Sequence, residues 1–312
     1  MGGDYAPETT VAGAVLAQRQ LPEDIRIVLI GDTGKIAPLL AKNNSSPNKF
    51  DLVHTTQVIE MGDHPMKVFP KKTDSSIAVG FEMLKRKQID CFAGSGNTGA
   101  MMVGALYSVK AIEGVMRPCL AGVVPKEDGS NGTLLDVGSN ADCRPEVLCQ
   151  FALLGEIYTR AMYNIPAPKV GLLNIGEEEE KGNLIAQSTY QLMKRMNNIN
   201  FVGNIEGRDI FSDKADVIVC EGFVGNVVLK EAEAIYEIIK RRKGSDEYFE
   251  RFNYEYYGGV PMLGINGTVI AGHGISSALS ICNIILQARH MVDAGVTAKI
   301  QKAFSGKLET SN

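Results

Sequence analysis

The sequence has no tryptophan, no Cys-x-x-Cys pair and only four histidines in 312 residues. No His, Cys, Asp or Glu grouping carries metal-ligand spacing, so no metal site is expected. No Gly-x-Ser-x-Gly segment is present, which removes the nucleophile elbow of α/β-hydrolases. No run approaches the ~18 apolar residues that a membrane span requires. The first residues show no basic segment leading into an apolar core, so no signal for export is read there. Lys and Arg number 32 against 36 Asp and Glu, a net charge of −4. That balance supplies no general field for nucleic acid, and any anion site must be local. The six cysteines mostly sit in apolar runs such as 89–93 and 217–220 and read as reduced, buried thiols of a cytoplasmic protein.

What is abundant is glycine, 33 residues, about a tenth of the chain against a usual ~7%. Hydrophobic residues at 45% and charged residues at 22% are those of an ordinary globular protein, and no repeat accompanies the glycines. Short β-branched runs alternate with helical-period segments, the pattern of a mostly parallel sheet covered by helices. Strands are expected at 26–30, 51–55, 89–93, 120–124, 133–137, 170–174, 200–202, 217–220 and 269–271. In 145–162, Val147, Leu148, Phe151, Leu154, Tyr158 and Met162 recur once per turn behind Pro145 at a first helical position. A second helix is expected over 224–240. Polar breaks fall at 42–48 and 241–246. The chain is read as one domain over 1–312, with room for two lobes around a cleft.

The glycines collect where strands are expected to end. Gly94-Ser95-Gly96-Asn97-Thr98-Gly99 fits G-x-G-x-x-G ahead of a helix. The acidic residue that would hold a ribose at the end of the next strand is missing, which argues against a dinucleotide. Anion binding by backbone NH groups survives that objection, as does a plain tight turn. Gly31 to Lys35 lacks the P-loop spacer and its Ser or Thr.

A second segment, Asp136 to Glu146, places Arg144 just before a helix, where its planar fork suits phosphate. Asp136 and Asn140 would orient it or a ligand. The plainer alternative is Asp142 as helix cap and Arg144 in a surface ion pair. A third runs from Cys220 through Gly222, Gly225 and Asn226 to Lys230, one turn beyond Asn226. The fourth, Gly264 to Gly267 with Asn266, leads to Gly272-His273-Gly274, where His273 between two glycines suggests a polar role. Four such loops at carboxyl ends of parallel strands would converge on one sheet edge, where open α/β folds bind ligands.

These segments, with Met1-Gly2-Gly3-Asp4, Ala6-Pro7-Glu8, Cys143-Arg144-Pro145 and Tyr257-Gly258-Gly259, resemble the bacterial phosphate acyltransferases of the PlsX family. The matches run in order through nearly the whole chain. The resemblance implies a three-layer α/β/α fold similar to isocitrate and isopropylmalate dehydrogenases and to phosphotransacetylase, used without nicotinamide or other cofactor. It implies a homodimer that makes acyl phosphate from long-chain acyl-ACP and inorganic phosphate in phospholipid synthesis. The partners implied are acyl carrier protein and a membrane glycerol 3-phosphate acyltransferase, with the enzyme cytoplasmic or peripheral at the inner membrane face. Relatives also carry a strand before Met-Gly-Gly-Asp and a long helical hairpin before Tyr-Gly-Gly. Here only 241–256 fills the place of the hairpin. Lys240 to Lys243 would attract an acidic carrier, or simply complement the helix dipole.

Acyl transfer to phosphate needs phosphate beside a thioester carbonyl, donors for the oxyanion and stabilisation of the leaving thiolate. Phosphate is itself the nucleophile, so no catalytic Ser or Cys is required. Arg144 and Lys230 are expected to balance phosphate charge. Backbone NH groups of Gly96 to Gly99, with Asn97 or Thr98, would bind phosphate or oxyanion. Asn226 and Asn266 would position the carbonyl, and His273 would protonate the leaving sulfur. Alternatives are a phosphotransacetylase acting on acyl-CoA, a dehydrogenase of the same fold, and a non-catalytic anion- or carrier-binding relative.

Overall fold

The computed structural model describes residues 2–244 and 246–305. Met1 of the Met-Gly-Gly-Asp motif therefore lies outside the described residues. The strands are β1 (Ile27–Gly31), β2 (Phe50–His54), β3 (Cys91–Gly94), β4 (Cys119–Pro125), β5 (Asn131–Leu135), β6 (Lys169–Leu173), β7 (Asn200–Ile205), β8 (Val217–Val219), β9 (Gly259–Leu263) and β10 (Thr268–Gly272). The helices are α1 (Glu8–Gln18), α2 (Thr33–Lys42), α3 (Pro65–Val68), α4 (Ser76–Lys85), α5 (Thr98–Gly104), α6 (Pro145–Tyr163), α7 (Leu184–Met193), α8 (Gly222–Lys243), α9 (Glu247–Glu250), α10 (Tyr254–Tyr257), α11 (Ala278–Asp293) and α12 (Val296–Ser305). Alternating strands and helices with mostly parallel pairing give the mixed α/β class that the patterning implies.

The chain divides into two compact units. Of the described residues, one comprises those within 2–110, 254–261 and 265–293, the other those within 111–253, 262–264 and 294–305. In the first unit β1 pairs in parallel with β2, and β3 pairs in parallel with β10 in the register Cys91↔Thr268 to Gly94↔Ala271. A core of Val11, Ala14, Ile36, Leu40, Phe50 and Cys282 joins α1, α2, β2 and α11. Between β1 and β3 lies a cavity of about 420 Å³. Consecutive residues 26–30 and 88–96 border it. Successive side chains of a strand point to opposite faces, so an unbroken run along a wall means that the strand edge faces the space. The buried Thr10 hydroxyl on the same wall has no hydrogen-bond partner among the described residues.

In the second unit β5, β8, β6 and β7 lie side by side in parallel, and β4 joins β5 as an antiparallel hairpin. Helix α6 covers this sheet, burying Phe151, Leu154 and Tyr158. Lys126 and Asp216, both almost fully buried, form an ion pair of 2.7 Å that ties the end of β4 to the start of β8. Arg251 donates to the carbonyls of Lys126 and Ser130 and so holds the hairpin from outside the sheet.

Two expectations are corrected here. The expected strands include none over 259–263, where Gly259 and Pro261 are poor strand residues. Pairing of Leu263 and Met262 with Cys119 and Leu120 overrides that preference. The polar break expected from Arg241 begins later, since α8 continues to Lys243 and stops where Gly244 adopts φ +74°.

Candidate active site

In the second unit β5 and β8 are parallel neighbours, so the loops that follow them emerge side by side. Their contact is fixed by backbone. Gly222 N donates to Asn140 O at 2.7 Å, and Asn226 Nδ2 donates to Val137 O at 3.2 Å. At Gly225 a Cβ would stand 1.9 Å from Asp136 O, so only glycine lets α8 approach the first loop this closely.

Asp136 is fully buried and its carboxylate collects donors. Leu120 N donates to Oδ1 at 2.9 Å, Ser139 Oγ reaches both oxygens at 2.8 Å, and Asn140 N and Nδ2 donate to Oδ2 at 2.6 and 3.0 Å. Asp136 therefore shapes the 138–140 turn, where the sequence reading has it orient Arg144 or a ligand. Asn140 is likewise engaged, donating also to Pro118 O at 2.8 Å.

Around this organised turn stand exposed polar groups. Arg144 is the N-cap of α6, makes no side-chain capping bond and forms no ion pair with a described residue. This rules out the alternative in which Asp142 caps the helix and Arg144 is ion-paired. Asn226 is exposed, and Lys230 is exposed with Glu233 at 2.7 Å. Glu221 caps α8 by accepting from Val224 N at 3.1 Å. Sequence reasoning missed Arg117, which donates to Asp142 O at 3.0 Å and brings a second cation to the 138–144 loop. No local motif marks it, because it precedes β4 and reaches the loop only through the fold. The nearby thiols are unsuited as nucleophiles. Burial, reinforced by the Asp136 carboxylate, pushes Cys143 up to about 11, and burial pushes Cys119 and Cys220 well above their ordinary value.

In the first unit β3 and β10 are parallel neighbours, and Gly94 to Gly99 emerges beside His273 to Ser276. The Gly2 to Asp4 segment packs on both loops. A Cβ on Gly2 would fall 2.8 Å from Gly96 Cα, and Asp4 N donates to Gly274 O at 2.8 Å. Asn97 caps α5 through Ala100 N at 2.9 Å. Its Nδ2 donates to the carbonyls of Glu60, Met61 and Asp63 at 3.2, 3.1 and 2.9 Å. This side chain, expected to be catalytic, is buried and spent on anchoring the 60–63 loop. Thr98 is exposed at the first position of α5, and Gly96 is buried behind it.

His273 is exposed, with its ring 5.6 Å from that of Tyr254 and its Nδ1 facing Ile275 N at 3.4 Å. Asn266 lies elsewhere. It precedes β10, whereas His273 follows it, and the five residues of that strand separate them by more than about 16 Å. Asn266 donates to Val109 O at 3.2 Å at the amino end of the sheet. The Gly264–Gly267 loop thus lies at the amino end of the parallel strands β3 and β10, whereas the sequence reading puts it at their carboxyl ends.

Among the described residues one group of acids brings its ligand atoms together. Glu177, Glu206 and Asp209 approach one another, but Lys214 already ion-pairs Glu177 at 2.6 Å and Asp209 at 2.8 Å.

The fold has counterparts among solved structures. It is similar to the EutD phosphotransacetylase from Staphylococcus aureus, with a TM-score of 0.64 at 17% identity over 92% of both chains. A phosphotransacetylase from Streptococcus pyogenes gives 0.67 at 15% identity, over 94% of this chain and 93% of the other. A 4-hydroxythreonine-4-phosphate dehydrogenase from Klebsiella pneumoniae shares the fold at a TM-score of 0.59 and 12% identity, over 92% of this chain and 95% of that one.

The family is set by sequence. A family model described as "Fatty acid synthesis protein" matches residues 1–245. The phosphate acyltransferase of Dictyoglomus turgidum is 40% identical over 96% of this chain and 94% of its own length. That of Chlorobaculum tepidum is 40% identical over 97% and 99%. The chain belongs to the phosphate acyltransferase family and is an acyltransferase.

Proposed function

We propose that the enzyme makes acyl phosphate from long-chain acyl-ACP and inorganic phosphate, for glycerol 3-phosphate acylation in phospholipid synthesis. The observation that carries this reading is the turn at 138–140. A buried carboxylate has spent its capacity on shaping that turn, and a fixed loop results with Arg144 exposed beside it. The planar fork of the exposed Arg144 suits a small anion with several acceptor oxygens. The family description supports a fatty acyl substrate.

In the reaction a phosphate oxygen attacks the thioester carbonyl carbon and the C–S bond breaks. Arg144, with Lys230, offsets the phosphate charge, and Asn226 presents an amide to it. Backbone NH groups of Gly96 to Gly99 and the Thr98 hydroxyl stabilise the oxyanion. His273 gives its proton to the departing thiolate and releases a thiol. Asp136 and Asn97 act at one remove, by fixing the loops. The enzyme works as a homodimer in the cytoplasm or at the inner membrane face and hands its product to a membrane acyltransferase. Among the described residues no helix is long and apolar enough to cross a membrane.

The test is incubation with palmitoyl-ACP and phosphate, trapping acyl phosphate as the hydroxamate. Phosphate-dependent hydroxamate is expected; its absence removes the reading. A preference for acyl-CoA over acyl-ACP would favour a phosphotransacetylase, the second reading suggested by the shared fold. Arg144→Ala should raise KM for phosphate about 10- to 100-fold while the protein stays folded, the loss of one or two charge-assisted hydrogen bonds. An unchanged KM would take Arg144 out of the site.

A further inference from the structure

We propose that the apolar rim of the glycine loop in the first unit, formed by Met61, Ile275 and Tyr5, seats the acyl chain of the substrate; this rests on the reading of the reaction given above. Single exposed apolar side chains are ordinary, but these three surround one backbone junction. Met61, Ile275 and Tyr5 are 43%, 43% and 57% exposed. The Met61 methyl comes so close to Gly274 that a Cβ there would lie 2.8 Å from it. Gly274 O in turn accepts from Asp4 N, which places Tyr5 and Ile275 next to the two bonded residues.

Met61 is also presented rigidly. Asn97 holds its carbonyl, Lys72 Nζ donates to Val58 O at 2.6 Å and to Asp63 at 2.8 Å, and Asp63 accepts from Glu60 N at 2.9 Å. An acyl carbonyl held at the Gly96 to Gly99 amides trails its chain onto whatever surface adjoins them. Here that surface carries the Met61 methyl, with the Asp4 carboxylate beside it at Gly274, and the unbranched thioether of Met61 adapts to chains of differing length. The 420 Å³ cavity behind the same loop is a poorer seat. Strand edges border it, and their peptide groups gain no hydrogen bond from an alkyl chain.

The experiment compares kcat/KM for acyl donors from C4 to C16 in wild type, in the pair Met61→Ser with Ile275→Ser, and in Ala288→Leu, which fills the cavity. Each methylene seated on protein is worth about a 4-fold preference, so losing two to three should cut the C16-to-C4 ratio by about 10-fold or more in the rim variant. Ala288→Leu should leave the ratio intact. A folded rim variant with an unchanged ratio, or a ratio lost in Ala288→Leu instead, overturns the proposal. A wild type giving no phosphate-dependent hydroxamate with any donor would sink the reaction reading alone. Displacement of cis-parinaric acid by palmitate then reads the rim without turnover. The rim variant should bind the probe at least about 10-fold more weakly. Equal binding, or no binding by wild type, removes the seat.

Discussion

Replacing Asp136 by Asn changes one atom, yet the structure makes it a severe test of how the 138–140 turn is built. The two carboxylate oxygens face only donors: Leu120 N on one side, Asn140 N and Nδ2 on the other, and Ser139 Oγ between them. An amide keeps one oxygen and turns its NH2 toward either Leu120 N or the Asn140 pair. At least one buried donor then faces another donor. Hydrogen bonds to a charged acceptor contribute about 1.5–3 kcal/mol each, and an unsatisfied buried group costs about 1–3 kcal/mol. Together these give a loss of about 3–5 kcal/mol, comparable to breaking a buried ion pair. In urea, with m near 3 kcal/mol/M, the midpoint should fall by about 1–1.7 M at unchanged m. The protein that remains folded should show a raised KM for phosphate, because the turn that carries Asn140 and leads to Arg144 loses its shape. A midpoint shift below about 0.3 M combined with lost phosphate dependence would refute the reasoning, since Asp136 would then be a ligand group and not a scaffold.

Other outcomes follow from the same geometry. Asn97→Ala removes the three bonds to the 60–63 carbonyls, and hydrogen exchange over 57–64 should speed by about 10-fold or more relative to the rest of the first unit; uniform exchange would contradict an anchoring role. Glu156 is buried in α6, and desolvation raises its carboxyl above the ordinary range, partly offset by Arg160. An acid whose folded value is raised stabilises the fold while protonated. That contribution is lost as pH climbs from the ordinary carboxyl value through the folded one. Glu156→Gln should therefore gain on wild type in Tm as pH rises from the ordinary carboxyl value, and a constant difference would show that the charge is not costly.

Much of this protein was legible in order of residues alone. Nine of the ten strands announce themselves as short β-branched runs, and α6 by its once-per-turn apolar residues, because those periods are the direct imprint of a buried face. The motifs around Gly94, Asp136 and Gly222 carried the family. Tertiary structure decided what those motif residues do. Asn97 and Asp136 look like site groups in sequence, since a polar side chain beside glycine is the same whether it meets substrate or protein. Only the fold brings Glu60, Met61 and Asp63 to one, and Leu120 and Ser139 to the other, spending their hydrogen-bonding capacity. Asn266 fails for a related reason. Motif spacing is blind to which end of a strand a loop lies on, and β10 runs from Asn266 toward His273. The same distance in the chain that leaves Met61 unmarked in sequence puts its methyl against Gly274, because loops far apart in order meet wherever parallel strands end together.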